Sequence, residues 1–227
     1  MEGSTRGTIH TVLFDMDGLL LDTEEVYTRI TQELVEPYGK TFTWAVKSKM
    51  MGKTAPEAAL ILIQDLELPI TAEDYLEFVR PRQYELFPDA KALPGVQQLV
   101  RHLHHHRVRK AALELKTTKH QDWFTLFETV VTGDDPAVKA GKPAPDIFIE
   151  AARRLGVADA DFGGVLVFED APNGVAAAKA AGMQVVAIPH PLNDRSLFAE
   201  ADLILESMEH FDPAEWALPP LAATNAE

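Results

Sequence analysis

Five short apolar runs recur down this chain, at 11–14, 129–132, 165–168, 184–188 and 203–205, and each is too brief to be a helix. Rich in β-branched and aromatic residues, they predict strands buried on both faces. Stretches of helical periodicity lie between them. Pro145-Asp146 opens one such helix and Gly156 closes it, while the alanine-rich 174–181 stretch ends at Gly182. Parallel neighbours need a crossover, and a helix is the usual one, so the alternation predicts an α/β, doubly wound parallel sheet with a Rossmann-like core.

Between residues 24 and 88 the character changes. Helical periodicity runs through 28–35, 56–66 and 72–87 with no convincing strand. The chain then turns at Leu93-Pro94-Gly95 into a further amphipathic helix. This predicts a core of residues 1–22 and 90–227, with a small helical cap, 23–89, inserted after the first strand. An insertion at that point leaves from the carboxyl edge of the sheet, where open α/β folds bind ligands.

Composition narrows the partners. Thirty-five acidic against 21 basic residues give a net charge of -14, which disfavours a nucleic-acid polymer, because backbone phosphates reward clustered Lys and Arg. A single phosphate ester needs only local neutralisation and stays compatible. The longest apolar runs are far too short to cross a bilayer core of about 30 Å, so no membrane association is expected. The chain has no cysteine, which excludes disulfides and thiolate metal sites. Nothing at 1–10 reads as a secretory leader, and a cytoplasmic, monomeric protein is expected.

Three acidic and basic clusters carry the chemistry. Asp15 and Asp17 follow the first apolar run two residues apart, so in extended chain both side chains leave one face. One carboxylate can attack phosphorus while the other protonates the leaving oxygen, and Gly18 lets the backbone turn away. Alone, Asp-x-Asp-Gly is equally a calcium-binding or turn sequence. A second acidic pair, Glu169-Asp170, ends the 165–168 run. Carboxylates from two parallel strand ends can hold one hard cation, with magnesium the expected ion. Lys142, set between Gly141 and Pro143, can neutralise a phosphate, although alone it would be a surface lysine.

The order Asp15-x-Asp17-Gly18, then Gly141-Lys142-Pro143, then Phe168-Glu169-Asp170-Ala171-Pro172-Asn173-Gly174 resembles the haloacid dehalogenase-like hydrolases. With the helical insertion it is similar to the small-cap subgroup, which includes β-phosphoglucomutases and sugar and nucleotide phosphatases. The stretches 15–24, 132–136 and 168–174 look like the pseudouridine-5'-phosphatase branch in particular. The resemblance implies Asp15 as nucleophile and magnesium ligand, Asp17 as general acid/base and ligand through its carbonyl, and Lys142 as the phosphate-binding lysine. It implies Asp170 as a metal ligand, with Glu169 beside it or contacting the ion through water. Gly52, Lys53 and Thr54 are similar in place to the loop that reads the leaving group, and equally an ordinary turn before a helix. The expected partner is a small phosphorylated metabolite, with pseudouridine 5'-phosphate the substrate implied and a phosphosugar phosphatase or mutase the alternative.

One element of the family pattern is hard to find. A Ser or Thr ending an apolar strand between cap and lysine should bind a phosphate oxygen, yet residues 107–120 look several residues short. Either 111–115 forms a substitute strand with Thr117 or Thr118 supplying the hydroxyl, or the stretch is helical and runs into 121–127. The helical reading is favoured here; it would remove a central strand and leave an impaired scaffold. The histidines at 102 and 104–106 read as a solvated helix end.

Overall fold

In the computed structural model, which describes residues 8–51, 53–113 and 120–221, six strands form one parallel sheet. In chain order these are β1 (Thr11–Phe14), β2 (Arg109–Leu113), β3 (Thr129–Val131), β4 (Val165–Glu169), β5 (Gln184–Ala187) and β6 (Leu203–Ile204). The helices are α1 (Thr23–Val35), α2 (Trp44–Met50), α3 (Ala55–Leu66), α4 (Ala72–Leu86), α5 (Val96–His105), α6 (Gln121–Phe124), α7 (Asp146–Arg154) and α8 (Pro172–Ala180). Across the sheet the strands run β3-β2-β1-β4-β5-β6. The chain therefore builds outward from β1 to one edge, returns, and builds outward to the other. That reversal falls between β1 and β4, where the loops leaving the strand ends diverge and open a crevice.

Alternation along the strands supplies two buried faces. Leu13, Ala111, Leu113, Val165, Val167 and Val185 pack with Phe148, Ala151, Val175 and Ala178 of α7 and α8. The next residues along face the other way. Phe14 stacks on Phe168 with ring centroids 5.0 Å apart and meets Phe127 edge-on, and Phe168 meets Phe211. Aromatic pairs of this kind add about 0.5–1.5 kcal/mol beyond the area they bury. They also lock the register, since Phe14 pairs with Phe168 across the β1–β4 ladder.

The helical reading of 107–120 is wrong for its first part. Residues Arg109–Leu113 form β2, a central strand paired with β1 on one side and β3 on the other. Alanine, lysine and leucine favour helix in isolation, but the gap between β1 and β3 offers backbone partners on both sides. Ala111, Ala112 and Leu113 are fully buried in it. Tertiary pairing overrides local propensity here, and the strand that an impaired scaffold would lack is present. Thr117 and Thr118 lie outside the described residues.

By its contacts the chain divides into two units. One comprises residues 8–20, 92–113 and 121–221 and contains the sheet. The other comprises residues 21–91 with His120, and packs α1 to α4 around Ile30, Leu34, Val46, Leu62, Tyr75 and Val79. Thr71 starts α4 by accepting the Asp74 amide, while Asp74 accepts the Thr71 amide in return, a reciprocal cap that fixes where the helix begins. At the base of the helical unit the Asp22 N–H donates to the Lys91 carbonyl at 2.8 Å. In the sheet unit, the Leu93 N–H donates to the Leu20 carbonyl at 3.1 Å. Among the described residues no helix is long and apolar enough to cross a membrane.

Candidate active site

The switch point brings three of the expected residues onto adjacent strand ends. Asp15 follows β1, and its N–H donates to the Phe168 carbonyl at 3.0 Å, carrying the ladder one residue past the strand. That places Asp15 beside Glu169, the last residue of β4, with Asp170 next. Carboxylate atoms of Asp15, Glu169 and Asp170 lie within 4.8 Å of one another. Met16 is buried while Asp15 and Asp17 are only partly so, the alternation expected when both acids leave one face. Gly18 then adopts φ 72°, a left-handed turn that side chains disfavour.

Lys142 comes from the connection between β3 and α7. Its Nζ donates to Asp15 Oδ1 and to Glu169 Oε1, each at 2.5 Å, and sits 5.1 Å from the centre of the Phe148 ring. Burial alone would pull the ammonium down, but the carboxylates of Asp15 and Glu169 outweigh it and hold Lys142 protonated, above the usual lysine range. For Asp15 the balance goes the other way. Burial pushes its carboxyl up to about 7; Lys142 opposes this, and the charges of Glu169 and Asp17 add to it.

Glu169 is the most committed of the acids. It is fully buried, with Oε1 on Lys142 and Oε2 accepting the amides of Asp170 at 3.0 Å and Ala171 at 3.1 Å. Its space comes from Gly174, where an added Cβ would lie 1.9 Å from the Glu169 Cδ. In the sequence Gly174 stands only as the end of a motif. Its one local signal is a glycine inside the first turn of α8, where that residue costs helix stability. Phe148 beneath Lys142 was likewise not singled out.

The donor set is all oxygen, with no His or Cys, which suits a hard divalent cation. Asp15 and Glu169 share Lys142, and Asp170 lies close to both. Since both Glu169 oxygens are engaged, Asp15 and Asp170 are the first candidates for direct ligands. Lys53 lies exposed in the helical unit just before α3, and Gly52 is outside the described residues.

A family profile described as haloacid dehalogenase-like hydrolase matches residues 12–188. The chain is 45% identical over 230 residues to (DL)-glycerol-3-phosphatase 2 of Arabidopsis thaliana, covering 97% of this chain and 96% of that one. It is 42% identical over 216 residues to a Drosophila melanogaster protein named Probable pseudouridine-5'-phosphatase, covering 91% and 93%. The crystal structure of CbbY from Rhodobacter sphaeroides in complex with phosphate matches with a TM-score of 0.71 at 24% identity, over 89% of this chain and 96% of that one. At that identity the likeness concerns the fold.

Proposed function

The chain belongs to the haloacid dehalogenase-like hydrolases and is a phosphoric monoester hydrolase, and we propose that it works with magnesium through an aspartyl-phosphate on Asp15. The observation that carries this reading is the meeting of Asp15, Glu169 and Lys142 at the switch point, with Asp170 alongside. Asp15 attacks the phosphorus and the ester oxygen departs, taking a proton from Asp17. Asp17 then takes a proton from the water that cleaves the acyl phosphate and restores Asp15. Lys142 offsets charge on the phosphoryl oxygens throughout. Asp15 and Asp170, with the Asp17 carbonyl, would hold magnesium, which would supply neutralising charge and keep the nucleophile ionised.

The substrate reading has two members. The stretches 15–24, 132–136 and 168–174 and the Drosophila relative support pseudouridine 5'-phosphate. The Arabidopsis relative supports glycerol 3-phosphate, which the motifs alone did not suggest. Both are small monoesters, and we assign the reading of the leaving group to the helical unit through Gly52 and Lys53, acting on a cytoplasmic metabolite.

Phosphate release from pseudouridine 5'-phosphate, glycerol 3-phosphate, uridine 5'-phosphate and hexose phosphates, with and without magnesium, tests the proposal. Turnover is expected to need magnesium and to vanish in folded Asp15→Asn. Turnover that survives Asp15→Asn would remove the aspartyl-phosphate route, and the ranking of esters decides between the two substrates.

A further inference from the structure

Asp15, Glu169 and Asp170 are placed by the sheet, but Lys142 is not. It rides on a connection of irregular backbone, and a residue so carried needs something else to hold it in place. The first half of that connection is tied down by Asp135, whose Oδ1 accepts the Ala137 amide at 2.9 Å and whose Oδ2 accepts from Arg154 at 2.7 Å. The second half depends on Asp146. Its Oδ1 accepts two backbone N–H groups, those of Lys139 and Ala140, each at 3.1 Å. The Ala144 N–H then donates to the Gly141 carbonyl at 3.0 Å, closing a tight turn over 141–144.

The lysine-bearing turn thus has both feet on α7. One rests on the Asp146 carboxylate and the other runs directly into the helix at Pro145. Phe148, which lies under the Lys142 ammonium, is two residues further along the same helix. We infer that Asp146 is a positioning residue, whose carboxylate sets the turn so that Lys142 meets Asp15 and Glu169. An acid in the first turn of a helix has a simpler use, which is to complement the helix dipole. That use does not account for Oδ1 accepting two amides that precede α7. The inference rests on the phosphomonoesterase reading for its kinetic consequence and on geometry alone for its placement consequence.

Three variants separate the roles. Asp146→Ala removes the acceptor and the charge, Asp146→Asn keeps an acceptor oxygen without the charge, and Asp146→Glu keeps the charge but shifts the carboxylate by one methylene. Each is compared with wild type in kcat and KM with magnesium, in thermal midpoint, and in the rate at which an acylating reagent labels Lys142 relative to exposed Lys53, read by mass spectrometry. For Asp146→Ala we expect kcat to fall about 10²-fold, the scale of a misplacement of roughly 1 Å, with KM changing far less. Lys142 labelling should rise severalfold. Asp146→Glu should follow the alanine variant in kcat, and Asp146→Asn should stay close to wild type in both readouts.

Wild-type kcat and labelling in Asp146→Ala, with only the thermal midpoint lowered, would overturn the inference in favour of a dipole role. Equal losses in the Asn and Ala variants would do the same, since charge rather than the acceptor would then matter. If Asp146→Ala does not fold, the Glu and Asn variants make the same distinction. Absence of turnover in the wild type would end the phosphomonoesterase reading, while the labelling comparison would still decide whether Asp146 places Lys142.

Discussion

Each unit of this protein holds a lysine beside an aromatic ring, and the two are balanced differently. In the helical unit Lys47 sits 5.7 Å from the Trp44 ring and spends its three protons on Glu24 Oε2 at 2.8 Å, the Glu24 carbonyl at 2.9 Å and Thr28 Oγ1 at 2.7 Å. One ammonium meets one carboxylate, and every donor has an acceptor. In the sheet unit Lys142 meets two carboxylates at once, those of Asp15 and Glu169, each at 2.5 Å. The first arrangement is complete and joins α1 to α2. The second sets two carboxylates against one ammonium, and burial together with the Glu169 charge pushes the Asp15 carboxyl up to about 7. The number of carboxylates on the ammonium separates the two lysines, where ring contact does not.

Removing each lysine should have opposite consequences. Lys142→Ala is expected to lower kcat by about 10² to 10³, the scale of losing a preorganised donor to developing charge. Lys47→Met should leave kcat near wild type and lower unfolding free energy by about 3 kcal/mol, because Glu24 loses its partner. Steady-state kinetics and chemical denaturation on both variants check this, and a matching loss of kcat in Lys47→Met would erase the distinction.

The burial of Asp15 beside Glu169 also has a signature in pH. A carboxyl raised from 3.8 to about 7 on folding makes the native state bind more protons, so its stabilising contribution is full below about pH 4 and is lost as pH rises through about 7. Metal-free wild type should therefore lose stability relative to Asp15→Asn across that window, by at most about 4 kcal/mol. Magnesium should reverse the loss. Denaturation curves at pH 5 and 8, with and without the ion, show whether the two proteins diverge in that sense or run parallel.

A smaller effect is expected from Gly174→Ala. The new Cβ would displace Glu169, with a cost of about 1–3 kcal/mol from overpacking and a fall in kcat through Lys142. The smallest concerns Lys110, fully buried in β2 with burial lowering its pKa against the pull of Glu128. Its native state binds fewer protons, so stability should rise as pH climbs through the folded-state pKa toward the free lysine value. Lys110→Met should flatten that rise while changing stability at pH 7 by less than about 1.5 kcal/mol.

Most of the sheet could be read from residues alone, because β1, β3, β4, β5 and β6 are apolar runs flanked by helical periodicity. β2 was not, since Arg109-Lys110-Ala111-Ala112-Leu113 suits either state and only its neighbours decide. The candidate site residues were legible for a related reason: Asp15, Asp17, Lys142, Glu169 and Asp170 sit at strand ends or between turn residues, where polar groups next to apolar runs stand out. What each oxygen does was not legible. Whether Glu169 faces a cation or a lysine depends on the empty space at Gly174 and on two amides beyond the strand. Likewise, Asp146 reads as a helix start until the backbone it holds is seen.

The bond between Asp22 and Lys91 at the base of the helical unit has an entropic meaning. A flexible loop as long as residues 21–91 would cost the sheet about 4 kcal/mol in closure entropy. Here the ends of the insertion are hydrogen-bonded together, so that cost is met within the helical unit. To the sheet the whole insertion behaves like a short turn, which lets a parent fold accept, exchange or lengthen such an insertion without losing the strand order that places Asp15.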